Sequence, residues 1–307
     1  MRILIAGAGA TGGAFGTRLC EADRDVTFLV REARAERIRA AGLRFVAPGE
    51  DRTNQVPVLT AAELAGLKDD DRVFDLIIVA VKAPALESVI DDVRPAIGPS
   101  TLILPFLNGM AHIDRLESEF PGQVLGGLVK IVGTIRDGAV VQMTDLAVMT
   151  VGDLGGGELP ADVATTLEVP GFRLQVIDSV RDALWAKWVF IAAAGVVNCL
   201  FRAPVGAIMA AGGESQVLAI VDELESVAAA AGHPVDGRGH ATTVSMLTEE
   251  GSSFTSSLYR DVTAGAPSEV EHILGHLATT AAGLGVATPL LDLTLVQLRA
   301  GEIERSS

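Results

Sequence analysis

The chain opens MRILIAGAGATGGAFG, five glycines in sixteen residues placed directly behind the apolar run RILIA at 2–6. Glycine loses more freedom on folding than any other residue, so such density needs a reason. The apolar run is continuous, as in a strand covered on both faces, and residues 11–22 continue as a helix. Between them the glycines fall as Gly7-Ala8-Gly9-Ala10-Thr11-Gly12, a G-x-G-x-x-G spacing at a strand-to-helix turn. That context is the phosphate-binding turn of a dinucleotide-binding β-α-β unit. Gly7 permits the tight turn, Gly9 lets the main chain approach a pyrophosphate, and Gly12 lets the helix pack close on the strand. The amides at the helix start, around Ala10 and Thr11, then face the phosphates with the helix dipole behind them. The structural alternative is a glycine-rich turn that holds nothing.

The end of the second strand bears on which dinucleotide is held. DVTFLV at 25–30 is followed by Arg31, with Glu32 behind it and Arg34 three residues on. An NAD-binding unit usually places Asp or Glu here to hold the ribose diol. Arg31 instead offers paired, charge-assisted hydrogen bonds to a 2′-phosphate, which favours NADPH. In the competing reading Arg31 is solvated and Glu32 holds the ribose.

Further along, REARAERIRAAG at 31–42 reads as a helix ending at a glycine, and 43–59 as two short strands. FDLIIVAVK at 74–82 is a buried strand, 84–97 a helix, and TLILPFLNG at 101–109 a strand ending in a loop. Residues 123–151 are rich in β-formers, with turn signals at Asp137-Gly138 and Thr144-Asp145. From 179 onward the patterns are helical: 179–201, 216–232, 252–262, 268–285 and 288–301. A length of 307 residues suits two domains, and the change of character divides the chain into an α/β half, 1–177, and an all-helical half, 178–307.

A formal charge of −15 disfavours nucleic acid and anionic membrane surfaces as partners. The apolar run at 188–201 is shorter than the roughly 20 residues that span a bilayer and contains Asn198, so it reads as a core helix. The apolar N-terminus is too short for a signal peptide and runs into glycines. Cys20 and Cys199 lie in apolar contexts without metal-ligand spacing and read as buried thiols of a reducing compartment. A cytoplasmic protein is expected.

Four more segments narrow the function. VKA at 81–83 ends one strand and LNGM at 107–110 the next; LWAKW at 184–188 opens the helical half; SSLYRDVTAGAPSEVE spans 256–271. In this order, behind the glycine turn and Arg31, they resemble ketopantoate reductase (2-dehydropantoate 2-reductase) over nearly the whole chain. The resemblance implies a Rossmann-type doubly wound sheet followed by an all-helical domain, as in 6-phosphogluconate dehydrogenase. It implies NADPH-dependent reduction of a 2-oxo acid, ketopantoate first among them, to the 2-hydroxy acid. Lys187 matches the family's catalytic lysine and Glu269 its essential glutamate. Asn108 matches the asparagine between nicotinamide and substrate, Ser257 the serine that binds the substrate carboxylate, and Lys82 the lysine near cofactor and substrate. The chemistry suits these types: hydride addition to a ketone leaves an alkoxide that a lysine can stabilise and protonate, with a carboxylate orienting the ammonium.

The chain also departs from the family. The helix carrying the lysine usually has asparagines four and eight residues on, where this chain has Ile191 and Gly195; the asparagine three residues before the serine is Phe254. Positions 187, 191 and 195 share one helical face. Apolar sites discriminate poorly for a substrate hydroxyl, so a more apolar 2-oxo acid is the alternative substrate, and an NADPH-binding sensor without chemistry the alternative class. Asn198, about 16 Å along the helix from Lys187, is expected to be a buried hydrogen-bonding residue. His233 is expected at the surface or as a cap. His272 and His276 have the i, i+4 spacing of a metal pair but lack a third ligand, so no metal is expected. A homodimer is compatible with a helical second domain.

Overall fold

The computed structural model describes residues 1–306. The chain forms two compact units: Met1–Leu107 with His112–Val180, and Asn108–Ala111 with the chain from Arg181 onward.

The first unit begins β1 (Arg2–Ala6), α1 (Ala10–Glu21), β2 (Asp25–Leu29), α2 (Glu32–Ala41), β3 (Leu43–Ala47), β4 (Glu50–Asn54) and β5 (Val58–Leu59). It continues through α3 (Ala61–Ala65), α4 (Asp69–Arg72), β6 (Leu76–Val79), α5 (Leu86–Val93), β7 (Leu102–Pro105) and α6 (Ala111–Glu119). The last elements are β8 (Leu125–Arg136), β9 (Ala139–Asp153), α7 (Ala161–Leu167) and β10 (Arg173–Val176). One sheet is wholly parallel, in the order β5-β2-β1-β6-β7. From β1 the chain builds outward through β2, then resumes on the other side with β6, the order of a doubly wound mononucleotide unit. The switch point, where such sheets bind ligands, lies between β1 and β6. Ile3, Leu4 and Ile5 of β1 and Leu76–Val79 of β6 are buried, as their unbroken apolar runs predict.

A second sheet runs β10-β9-β3-β4, with β8 on β9. Helix α1 lies between the two sheets because two glycines remove its side chains there. A Cβ on Gly16 would stand 2.5 Å from Phe28 Cζ and 2.6 Å from Ile5 Cδ1, and one on Gly13 would stand 2.5 Å from Val140 Cγ2. Asp137 and Gly138 take positive φ, 51° and 80°, and close the β8–β9 hairpin where a turn was expected. The second expected turn, at Thr144-Asp145, is instead a bulge in an unbroken β9. The register passes from Ile131↔Ala147 to Gly133↔Gln142, which leaves the exposed residues 143–146 outside the ladder. The helix expected over 84–97 is shortened to α5, with 3₁₀ turns at Ala83–Ala85 and Arg94–Ala96, because Pro84 and Pro95 interrupt the ladder of helical hydrogen bonds.

The second unit holds α8 (Val180–Phe201), α9 (Val205–Ala210), α10 (Glu214–Ala230), α11 (Gly237–Leu247) and α12 (Ser257–Thr263). A π turn at Glu271–Gly275 then runs into α13 (His276–Leu284), and α14 (Pro289–Ser306) closes the chain. Among the described residues no strand follows β10. The apolar run at 188–201 belongs to a longer helix than expected. With its polar first turns α8 has 22 residues, long and apolar enough to cross a membrane, yet 67% of its most apolar window is buried within the protein. Trp188, Val189, Ala192–Ala194, Val196 and Val197 all face the interior, so α8 packs as a core helix. Its far end is fixed by the buried Asn198, whose Nδ2 donates to Ala203 O at 2.9 Å and whose Oδ1 accepts from Ser256 N at 2.7 Å. Helix α12 starts later than expected, at Ser257, because the Ser256 hydroxyl caps it by accepting from Tyr259 N. Residues ahead of it instead pair by main chain with the start of α9, Gly206 N to Ser252 O and Val205 N to Phe254 O. Cys20 and Cys199 are free thiols that burial pushes up to about 11 and about 12, so both stay protonated near neutrality.

Candidate active site

The glycine turn stands at the switch point. Gly7 has φ +108°, and a Cβ there would lie 2.7 Å from Ala80 O, so the turn is pressed against the end of β6. At Gly12 a Cβ would lie 2.1 Å from Gly7 O and 2.8 Å from Ala80 Cβ. Gly9 is the opposite case, with nothing within 4 Å of its Cβ position. It is the N-cap of α1 and has no side-chain cap, and the first turn of α1 carries no acidic residue. The first intrahelical bond is Gly13 N to Gly9 O, so the amides of Ala10, Thr11 and Gly12 precede the helical ladder. An open approach, outward amides and a helix dipole fit a dinucleotide pyrophosphate.

Around this turn, Arg31 is the exposed N-cap of α2, with Glu32 in the first turn beside it. Its charge reaches Asp92, whose carboxyl burial and Asp91 push up and Arg31 draws down. Arg34 is more deeply placed. Its Nη1 donates to Gly138 O at 2.8 Å and its Nη2 to Ala8 O at 3.3 Å, so it ties the glycine turn to the β8–β9 hairpin. Sequence reasoning gave Arg34 no such task, and had no signal for one, because its partners are main-chain carbonyls 26 and 104 residues away. Lys82 is exposed and caps the 3₁₀ turn that follows β6, two residues beyond the Ala80 that abuts Gly7.

In the second unit, the Asn108 side chain donates from Nδ2 to Glu269 Oε2 at 3.5 Å. Glu269 is half-buried and sits just ahead of the helical turns. Its carbonyl accepts Ile273 N at 2.9 Å. The Asn108-Gly109 turn packs on His272. Gly109 has φ +82°, and a Cβ there would lie 3.3 Å from His272 O and 3.5 Å from Cδ2 of its ring. Burial pushes the His272 imidazole down, against the pull of the Glu269 charge and of a hydrogen bond to the Asn108 main chain. His276 stacks on Trp188, with ring centroids 5.2 Å apart and planes at 24°. Among the described residues no group of three His, Cys, Asp or Glu could hold a metal ion.

Lys187 is half-buried on α8, immediately before Trp188, whose Nε1 donates to Ile273 O at 2.9 Å. Ile191, one turn on, is half-buried as well, and Gly195 is buried under Leu258. Phe254 lies half-buried in the segment before α12, and Ser257 is the exposed first residue of that helix. The structure thus brings Asn108, Glu269 and His272 together, and Gly195 against Leu258. His233 docks its loop on α8: its Nδ1 lies 2.6 Å from Asp182 Oδ1 and its ring stacks on Trp185. A separate cavity of about 600 Å³ at the other end of α8 is lined by Cys199, Arg202, Tyr259, Gln297 and Arg305, among others. Cys199 is about 18 Å along the helix from Lys187.

Comparison with known proteins places the chain in a family. The family model described as ketopantoate reductase PanE/ApbA matches residues 3–156, and the model of its C-terminal part matches 179–302. The uncharacterized oxidoreductase YkpB of Bacillus subtilis (strain 168) is 32% identical over 310 residues, covering 99% of this chain and 100% of that one. The crystal structure of 2-dehydropantoate 2-reductase from Methylococcus capsulatus superposes with a TM-score of 0.86 at 25% identity, covering 100% of this chain and 98% of the other. D-mandelate dehydrogenase with NADH and anilino(oxo)acetate shares the fold, with a TM-score of 0.85 at 24% identity over 99% of each chain. This chain therefore belongs to the ketopantoate reductase family of nicotinamide-dependent oxidoreductases.

Proposed function

We propose that the protein reduces a 2-oxo acid to the 2-hydroxy acid with NADPH, and that ketopantoate is the first candidate substrate. The observation that carries the reading is the Asn108–Glu269 contact, which joins two residues far apart in the chain on a unit that also presents Lys187. Bound reduced nicotinamide supplies the hydride. Lys187 stabilises the charge that develops on the carbonyl oxygen and gives it a proton from Nζ, so that ketone, hydride and proton make the alcohol. Glu269 orients that ammonium, Asn108 steadies the carboxylate and the carbonyl, and Ser257 docks the substrate carboxylate. Gly7, Gly9, Ala10, Thr11 and Gly12 hold the pyrophosphate, Lys82 stands by the cofactor, and Arg31 pairs with the 2′-phosphate. With ketopantoate the product is pantoate, which places the protein in pantothenate biosynthesis in the cytoplasm.

A specific observation favours a second substrate. Ile191, Gly195 under Leu258, and Phe254 offer a substrate hydroxyl no side-chain hydrogen bond. A more apolar 2-oxo acid fits such a lining, and the shared fold of D-mandelate dehydrogenase supports that reading. The test is a substrate panel: purified protein with NADPH or NADH, and ketopantoate beside less polar branched 2-oxo acids, followed by loss of reduced-nicotinamide absorbance. Oxidation that depends on a 2-oxo acid supports the reading, and a wide preference for ketopantoate removes the second substrate. Oxidation with none of them overturns both.

A further inference from the structure

His272 has no part in the proton transfer described above, yet three observations converge on it. Its ring packs on the Asn108-Gly109 turn, with Cδ2 and Nε2 3.5 Å and 3.7 Å from where a Cβ on Gly109 would stand. The φ of +82° favours glycine there, and a Cβ would stand 3.3 Å from His272 O, in close contact. The imidazole also hydrogen-bonds the Asn108 main chain, while the side chain of the same asparagine donates to Glu269 Oε2. Finally, the ring is carried on the π turn Glu271–Gly275, pinned by the Trp188 Nε1 bond to Ile273 O. Such turns are rare and occur mostly at functional sites.

We propose that His272 is a positioning residue: it holds the Asn108-Gly109 turn by the Asn108 main chain and so fixes the Asn108 amide against the Glu269 carboxylate. The inference rests on the roles given above to Asn108 and Glu269. The charged and titratable groups around the ring are Glu269, which favours its cation, and His276, which opposes it. Glu271, next to it in the chain, is turned to Arg299 of α14 in a two-point ion pair, both contacts 2.7 Å. Lys187 of α8 adjoins the Trp188 that stacks on His276. Burial pushes the ring's ionisation down and so favours the neutral imidazole, with one N–H for the turn. Protonation adds a second donor beside Glu269 and draws the carboxylate away from Asn108, so activity falls on the acid side.

The experiment compares His272→Phe, which keeps a ring without a donor, with His272→Gln, which keeps a donor that does not titrate. Expected is a loss of about tenfold in kcat/KM for His272→Phe at unchanged NADPH affinity, the loss of one net hydrogen bond. His272→Gln should retain most of the activity and lose the acid-side fall in its pH profile. Wild-type behaviour of His272→Phe, or equal losses in both variants, overturns the proposal. A second measurement needs no turnover: the NMR titration midpoint of the His272 ring in the full-length protein, against Glu269→Gln. The midpoint should fall when the carboxylate charge is removed, and an unmoved midpoint overturns the proposal. If the wild type reduces no 2-oxo acid, the functional reading fails by itself and the NMR comparison alone decides the placement of His272.

Discussion

Leu258 fills the space into which a side chain at position 195 would project: a Cβ on Gly195 would stand 2.9 Å from Leu258 Cδ2. Helices α8 and α12 thus meet through a glycine on the stripe that carries Lys187 and Ile191. Restoring an amide there must first displace the leucine. Gly195→Asn alone should destabilise the protein by about 1–3 kcal/mol, the usual effect of overpacking, read as a lower Tm. Gly195→Asn with Leu258→Ala should recover stability and shift preference toward a 2-oxo acid that bears a hydroxyl. An unchanged substrate preference in that double variant would take position 195 out of the substrate's surroundings.

The glycine turn separates two roles that a single motif conceals. Gly9 has open space at its Cβ position and an extended backbone, φ −80° and ψ −165°, that alanine adopts. Gly9→Ala should fold with a loss of no more than about 1 kcal/mol, a cap-sized effect, while weakening dinucleotide binding. Gly12→Ala would set a methyl group 2.1 Å from Gly7 O and should lower the Tm outright. Thermal melts paired with cofactor titrations check the contrast; a Gly9→Ala variant with wild-type cofactor affinity would count against the pyrophosphate contact.

Arg31 and Arg34 divide the ribose end in a similar way. Arg31 is exposed, whereas Arg34 is spent on the carbonyls of Ala8 and Gly138. Arg31→Ala should therefore weaken NADPH by about tenfold to a hundredfold, the size of one charge-assisted bond, and leave NADH nearly unchanged. Equal losses for both cofactors would move the 2′-phosphate contact elsewhere.

Much of the scaffold is legible in the sequence because its signals are local. The runs of β1 and β6, the glycines of the first turn and the periodicity of α8 and α10 each determine their own element. What escapes is held by distant partners. Strand β4, EDRTN, has no apolar pattern and forms by pairing along its length with β3, where Arg44 meets Asp51 in a two-point pair and Arg18 meets Glu50. Helix α11, GRGHATTVSML, depends on the Asp236 cap accepting from Gly239 N. Thr144-Asp145 reads as a turn because its residues suit one, but β9 on either side is already paired with β8, so the same residues bulge. At the site, the i, i+4 spacing of 272 and 276 carries no sign of their actual neighbours, Asn108-Gly109 and Trp188, which lie elsewhere in the chain.

The proposed reaction stands on Lys187 delivering the proton in a nicotinamide-dependent reduction. Its most direct test is the single-turnover rate of Lys187→Ala with NADPH and the best 2-oxo acid of the panel, beside the Kd for NADPH. The rate should be lower by about 10²–10⁴-fold, the range of a lost general acid, at an essentially unchanged Kd. A wild-type rate in that variant would contradict it.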